Sequence, residues 1–287
     1  MRNASQTLKG MMLMAVGVLL LTINDAVTKH LVLSHPVGQV IALRQAATLL
    51  VIIPYLMLAS GWGALRMVNV SGQLLRGALF IAGSMCIVLS LGLLPLAMVI
   101  TIMFTSPIFV AAFSAPLLGE RVGSHRWIAV LGGFAGVLIV VQPGTAAFQW
   151  ALLLPVAAAF INAFRDVLTR LLSRTETSIA ILFWSNIILM AGGAATAPFG
   201  WEPVTATAAL WFVAAGVSNG AAHFFIIEAL RAGEASVIAP VRYTALVWAA
   251  LLGFVVWGEV PGPWLCAGAA IIVASSLHMI RAERRRG

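Results

Sequence analysis

The residues Asp25-Ala26-Val27-Thr28-Lys29 return as Asp166-Val167-Leu168-Thr169-Arg170, an acid, a threonine and a base at the same spacing 141 positions further on. Both copies stand inside apolar runs, where a charged side chain costs about 2.5 to 3.5 kcal/mol on insertion scales. Two further echoes follow in the same order. Gly119-Glu120 matches Gly258-Glu259 at an offset of 139, and Trp127 matches Trp264 at 137. Three echoes in one order at nearly one offset point to an internal duplication, with halves 1–144 and 145–287.

The surrounding composition is that of a chain dissolved in lipid. Of 287 residues, 61% are hydrophobic and 9% charged, with a mean hydropathy of +1.03; a soluble protein carries about a quarter of its residues charged. A bilayer core takes roughly 20 apolar residues per helix. Turn-forming or charged clusters divide the sequence into ten segments of about that length, near 11–33, 38–59, 73–93, 97–118, 126–142, 148–172, 178–198, 208–229, 235–257 and 262–281. Lysine and arginine test this division, because they should collect on alternate loops. One side holds Arg2, Lys9, Arg66, Arg76, Arg121, Arg126, Arg170, Arg174, Arg231, Arg281 and Arg284 to Arg286, and the opposite loops hold none. Both termini are therefore predicted to be cytoplasmic.

The excess of 17 basic over 9 acidic residues thus reads as an orientation signal, and a nucleic-acid partner is not expected. The first apolar run resembles a signal peptide but contains Asn24, Asp25 and Lys29 and lacks an A-x-A site, so it is read as the first span. Cys86 and Cys266 lie in apolar runs and offer neither a disulfide framework nor metal-ligand spacing.

Five spans is an odd number, so the second half enters the membrane from the opposite side. Inverted halves of this kind can exchange conformations and open a midplane site to each side in turn. The fold class is accordingly all-α and polytopic, with ten transmembrane helices in two inverted five-helix repeats. Together with the Ser106-Pro107 pair in span 4 and the Gly-Glu closures, this pattern resembles the EamA branch of the drug/metabolite transporter superfamily. The resemblance implies a bacterial inner-membrane carrier with a cavity between its halves, formed by spans 1 to 4 and 6 to 9. It also implies a metabolite cargo, since members export amino acids or take up riboflavin, S-adenosylmethionine or nucleotide sugars.

Polar residues inside the spans are the candidate site. Asp25 with Lys29, and Asp166 with Arg170, are either self-neutralising i,i+4 pairs or proton-coupling groups. Arg44 and Arg242 each lie about six residues or roughly 9 Å into a span and suit an anionic solute group or an acid on another helix. Asn219 and His223 share a face of span 8 as solute ligands or interhelical glue. Phe104, Trp184, Tyr243 and Trp248 supply aromatic surface away from the interfaces. Pro107 and Pro240 are candidate hinges, because proline removes a backbone donor. Glu259 and Glu120 suit a loop-locking role, and the glycines at 132, 133, 136, 192 and 193 suit close helix packing.

The expectation is an alternating-access carrier, monomeric or homodimeric, that exports a small metabolite, foremost an amino acid, through a cavity lined by spans 3, 4, 8 and 9. Uptake of a larger metabolite such as riboflavin or S-adenosylmethionine is the alternative. A channel and a membrane-embedded enzyme are weaker rivals, since no HExxH, nucleophile elbow, P-loop or metal cluster is present. No cofactor is expected. The partners are a small-molecule solute and the lipid bilayer.

Overall fold

The computed structural model describes residues 2–59, 61–118, 124–145, 148–173, 175–232 and 238–284. Its helices are α1 (Arg2–Val32), α2 (Val37–Ala59), α3 (Val70–Leu93), α4 in two pieces (Leu96–Met103 and Ser106–Leu118) and α5 (Ser124–Val141). The second set is α6 (Leu153–Leu172), α7 (Ser178–Ala194), α8 (Ala206–Ala232), α9 (a 3-10 turn Ala239–Tyr243 leading into Thr244–Trp257) and α10 (Pro263–Arg284). Eight of these spans are long and apolar enough to cross a membrane, and Val130–Val141 in α5 and Pro263–His278 in α10 are shorter apolar stretches. The ten expected spans are all present. Large apolar side chains such as Leu58, Leu131, Phe199, Leu210 and Val255 face outward, as a lipid-facing surface requires.

Packing repeats under exchange of the halves. α1 lies along α8 as α6 lies along α3; α2 packs on α8 as α7 packs on α3; α4 touches α6 as α9 touches α1. α2 with α7, and α5 with α10, pair across the axis. Small residues make the cross-axis contacts possible. A Cβ at Gly136 of α5 would stand 3.1 Å from the Gly268 carbonyl of α10, and one at Gly193 of α7 would stand 2.6 Å from the Gly38 carbonyl of α2. Amide and hydroxyl side chains add glue: Gln45 Nε2 donates to Asn186 Oδ1 at 2.8 Å, and Thr48 Oγ1 donates to the Gly216 carbonyl at 3.1 Å.

Two connections at the terminal end of the bundle are tied together. The Glu176 carboxylate accepts from the Val68 and Asn69 amides at 2.9 and 2.7 Å. Trp184 Nε1 donates to the Leu65 carbonyl at 2.8 Å. Trp184 therefore braces the α2–α3 connection through its indole N–H.

Candidate solute cavity

α4 is not continuous. Phe104 and Thr105 leave the α-helical path, and Thr105 N bonds Ile102 O at 3.0 Å, a tightened 3-10 pattern. Pro107, second residue of the following segment, cannot donate to the carbonyl one turn back, which is the physical reason for the break. In the second half Pro240 sits in the 3-10 turn Ala239–Tyr243, between the helical Ile238 and the α-helix Thr244–Trp257.

The break borders a cavity of about 310 Å³ between the halves, lined by Val18, Leu21, Thr22 and Asp25 of α1, Ile100, Met103 and Phe104 of α4, His223 and Ile226 of α8, and Arg242 and Ala245 of α9. α1 takes the place expected for span 3. Val18, Leu21, Thr22 and Asp25 stand at i, i+3, i+4 and i+7 and so share one face of α1. The Phe104 ring meets Tyr243 at 4.9 Å between centroids. Arg242 and His223 are exposed although they lie inside the bundle; both line this cavity, and His223 also borders a second pocket beside Val51, Tyr55 and Phe224. Broken backbone at membrane depth is tolerated where it lines such a space.

Other predicted site residues stand elsewhere. Asn219 reaches Thr48 Oγ1 at 3.4 Å, between α8 and α2. Trp248 packs among Met14, Val18 and Ala245 with its indole N–H buried and unpartnered. Arg44 is buried and donates to Thr28 Oγ1 at 3.2 Å. Arg76, expected at a loop boundary, lies buried in α3, with Nε on Thr169 Oγ1 at 2.7 Å and Nη1 on Ser185 Oγ.

The expected i,i+4 ion pairs are not the ones made. Lys29 turns from Asp25 to Glu259, with Nζ and Oε1 2.6 Å apart and both side chains largely buried. Lys29 also donates to the Leu94 carbonyl at 2.6 Å and lies 5.2 Å over Trp257, while the other Glu259 oxygen accepts from Leu96 N at 2.8 Å. This latch joins α1, the α3–α4 turn and the α9–α10 turn at the end opposite the termini. The local backbone explains the reach. Gly258 ends α9 in the left-handed region at φ 70°, so that Glu259 N bonds Gly253 O at 3.0 Å, and a Cβ at Gly253 would come within 2.8 Å of the carboxylate. The Gly-Glu closure of the second half is a helix cap followed by a latch residue. Its first-half counterpart, Glu120, lies outside the described residues.

Asp25 accepts from Asn24 Nδ2 at 3.0 Å and is under the field of Arg44. Asp166 pairs with its neighbour Arg165 at 2.9 Å, and the Arg165 guanidinium rests 4.8 Å over Phe80. Arg170 closes α6 in its last turn. No group of three or more metal-ligating side chains occurs among the described residues.

Comparison with known proteins places this arrangement. The profile described as the EamA-like transporter family matches twice, over residues 8–142 and 149–281. A "Riboflavin transporter" of Rhizobium johnstonii is 35% identical over 201 residues, covering 69% of this chain and 66% of the relative. One of Vibrio cholerae is 31% identical over 253 residues, 88% and 85% of the two chains. An "S-adenosylmethionine uptake transporter" of Rickettsia prowazekii is 26% identical over 287 residues, 99% and 97%. A solved structure described only as "Crystal structure of protein" superposes with a TM-score of 0.68 at 22% identity over 99% of both chains, and shares the fold. With ten transmembrane helices, halves that exchange contacts and a central cavity, the chain belongs to the EamA-like transporter family and is a multi-pass membrane transporter, not an enzyme.

Proposed function

We propose that this transporter takes up a metabolite built on a flat heteroaromatic ring, of the riboflavin or S-adenosylmethionine class, by exposing the central cavity alternately to the two membrane faces. The observation that carries this reading is the cavity's lining: apolar walls from α1, α4, α8 and α9, the Phe104 ring at the helix break, and only Thr22, Asp25, His223 and Arg242 as polar groups. Such a slot accepts a ring in its apolar part and fixes it through a few polar contacts. The names of the relatives support the same class. None of the three relatives described above is named as an amino-acid exporter.

The test is uptake of labelled riboflavin and labelled S-adenosylmethionine into proteoliposomes holding the purified protein, each challenged with an excess of the unlabelled compound. Saturable uptake of one of them, weakened in Phe104→Ala, is the expected outcome. Folded protein that moves neither compound but exchanges amino acids would return the function to amino-acid transport.

A further inference from the structure

The cavity wall itself holds one acid, Asp25, and one arginine, Arg242, together with His223; the imbalance lies in the arginines beyond that wall. The fields of Arg44, Arg165 and Arg242 converge on His223, and Arg76 shares the field of Arg165 and Asp166. Among the described residues this cluster sets four guanidinium groups against two carboxylates, Asp25 and Asp166. Lys29 and Glu259 neutralise one another in the latch and do not alter the count.

The partners of each group sharpen the imbalance. Asp166 is engaged by Arg165 at 2.9 Å, and Asp25 stands in the field of Arg44. Arg76 is met by the hydroxyls of Thr169 and Ser185, which satisfy N–H groups but cancel no charge. Arg44 has a hydroxyl at Nη1 and an unpartnered, buried Nε. Arg242 has no acid within ion-pair distance among the described residues, feels Asp166 only from further off, and faces the open cavity. Arginine remains protonated in proteins, and uncompensated charge at membrane depth is costly.

We infer that the transported solute carries an anionic oxygen group, a carboxylate or a phosphate, and that Arg242 receives it. A guanidinium offers two parallel N–H donors that fit the paired oxygens of either group, and the adjoining Phe104 and Tyr243 place a ring beside it. The inference rests on the central cavity being the solute site, as proposed above. A neutral flavin is then a poorer cargo than its phosphate, and an adenine sulfonium that bears an amino-acid carboxylate qualifies.

The experiment measures ligand-induced thermal stabilisation of the purified protein with matched pairs: riboflavin and riboflavin 5′-phosphate, adenosine and adenosine monophosphate, S-adenosylmethionine and its carboxamide, and succinamide and succinate. In at least one pair the anionic member acts at a concentration about tenfold lower or better, the worth of a charge-assisted contact. Arg242→Gln removes that difference, and Arg242→Lys, which keeps the charge, retains most of it. Neutral members acting as well as anionic ones, a preference that survives Arg242→Gln, or no stabilisation by any anionic member would overturn the inference. A preference confined to succinate would sink the ring reading and leave the anion reading standing; equal action of riboflavin and its phosphate would do the reverse.

Discussion

The acid, threonine and base of α1 and their copies on α6 begin from one sequence pattern and finish in different company. Thr28 receives Arg44 from α2, whereas Thr169 receives Arg76 from α3. Asp25 borders the cavity, while Asp166 is tied to the arginine beside it. Lys29 leaves its helix to join Glu259. An inverted repeat therefore reproduces backbone and spacing, but its polar partners are chosen separately in each half. The cavity inherits that asymmetry. α1 supplies an acid to it and α9 a base, and the two halves contribute unlike chemistry to one site.

Breaking the latch separates the halves most severely. Glu259→Gln strands the buried Lys29 charge, and loss of one partner from a buried pair costs about 3–5 kcal/mol. A strongly lowered melting temperature in detergent and loss of uptake are expected, with much of the stability regained in the neutral pair Lys29→Met with Glu259→Gln. A single variant that melts with the wild type would show that the latch carries no weight. Removing the Thr169 hydroxyl tests the other half: Thr169→Val leaves Arg76 Nε without its acceptor, at about 1–3 kcal/mol. Chemical denaturation in mixed micelles should show this loss to be greater than that of Thr28→Val, because Arg44 keeps the field of Asp25 whereas at Arg76 the field of Arg165 outweighs that of Asp166.

Smaller effects sort site from scaffold. Phe104→Ala should weaken solute affinity about tenfold, the loss of a stacked aromatic surface. Trp184→Phe should leave affinity alone and lower thermal stability, since its N–H serves the Leu65 carbonyl; equilibrium binding beside a melting curve separates the two. Pro107→Ala restores a donor to α4, and a transport rate reduced about threefold at unchanged affinity would mark the break as a hinge. An unchanged rate would reduce it to a fixed bend.

Much of the fold was legible in the sequence because its signals are linear. Span length, loop charge and the recurrence of Gly-Glu and Trp need no knowledge of neighbours, and the ten helices follow them closely. The site was less legible because it depends on which helix faces turn together. Aromatic character and depth single out Phe104, polarity and depth single out His223 and Arg242, and all three line the cavity. The apolar wall of α1 and α4 carries no chemistry that distinguishes it from core. Lys29 looked like the partner of Asp25 because the two share a helix face, but a carboxylate brought close by the Gly258 cap offers it a better-enclosed contact. Arg76 was read as a loop charge because only the packing of α3 against α6 and α7 shows it to be buried.

A single cysteine at Met103 on the cavity wall, in a background lacking Cys86 and Cys266, asks whether the latch governs access. Labelled by membrane-impermeant maleimide from each side in turn, Met103→Cys should react from the side of the termini while Lys29 and Glu259 are paired. It should react from both sides once Glu259→Gln is added. Reaction from the latched side in the intact pair, or no change on breaking it, would contradict alternating access controlled at that end.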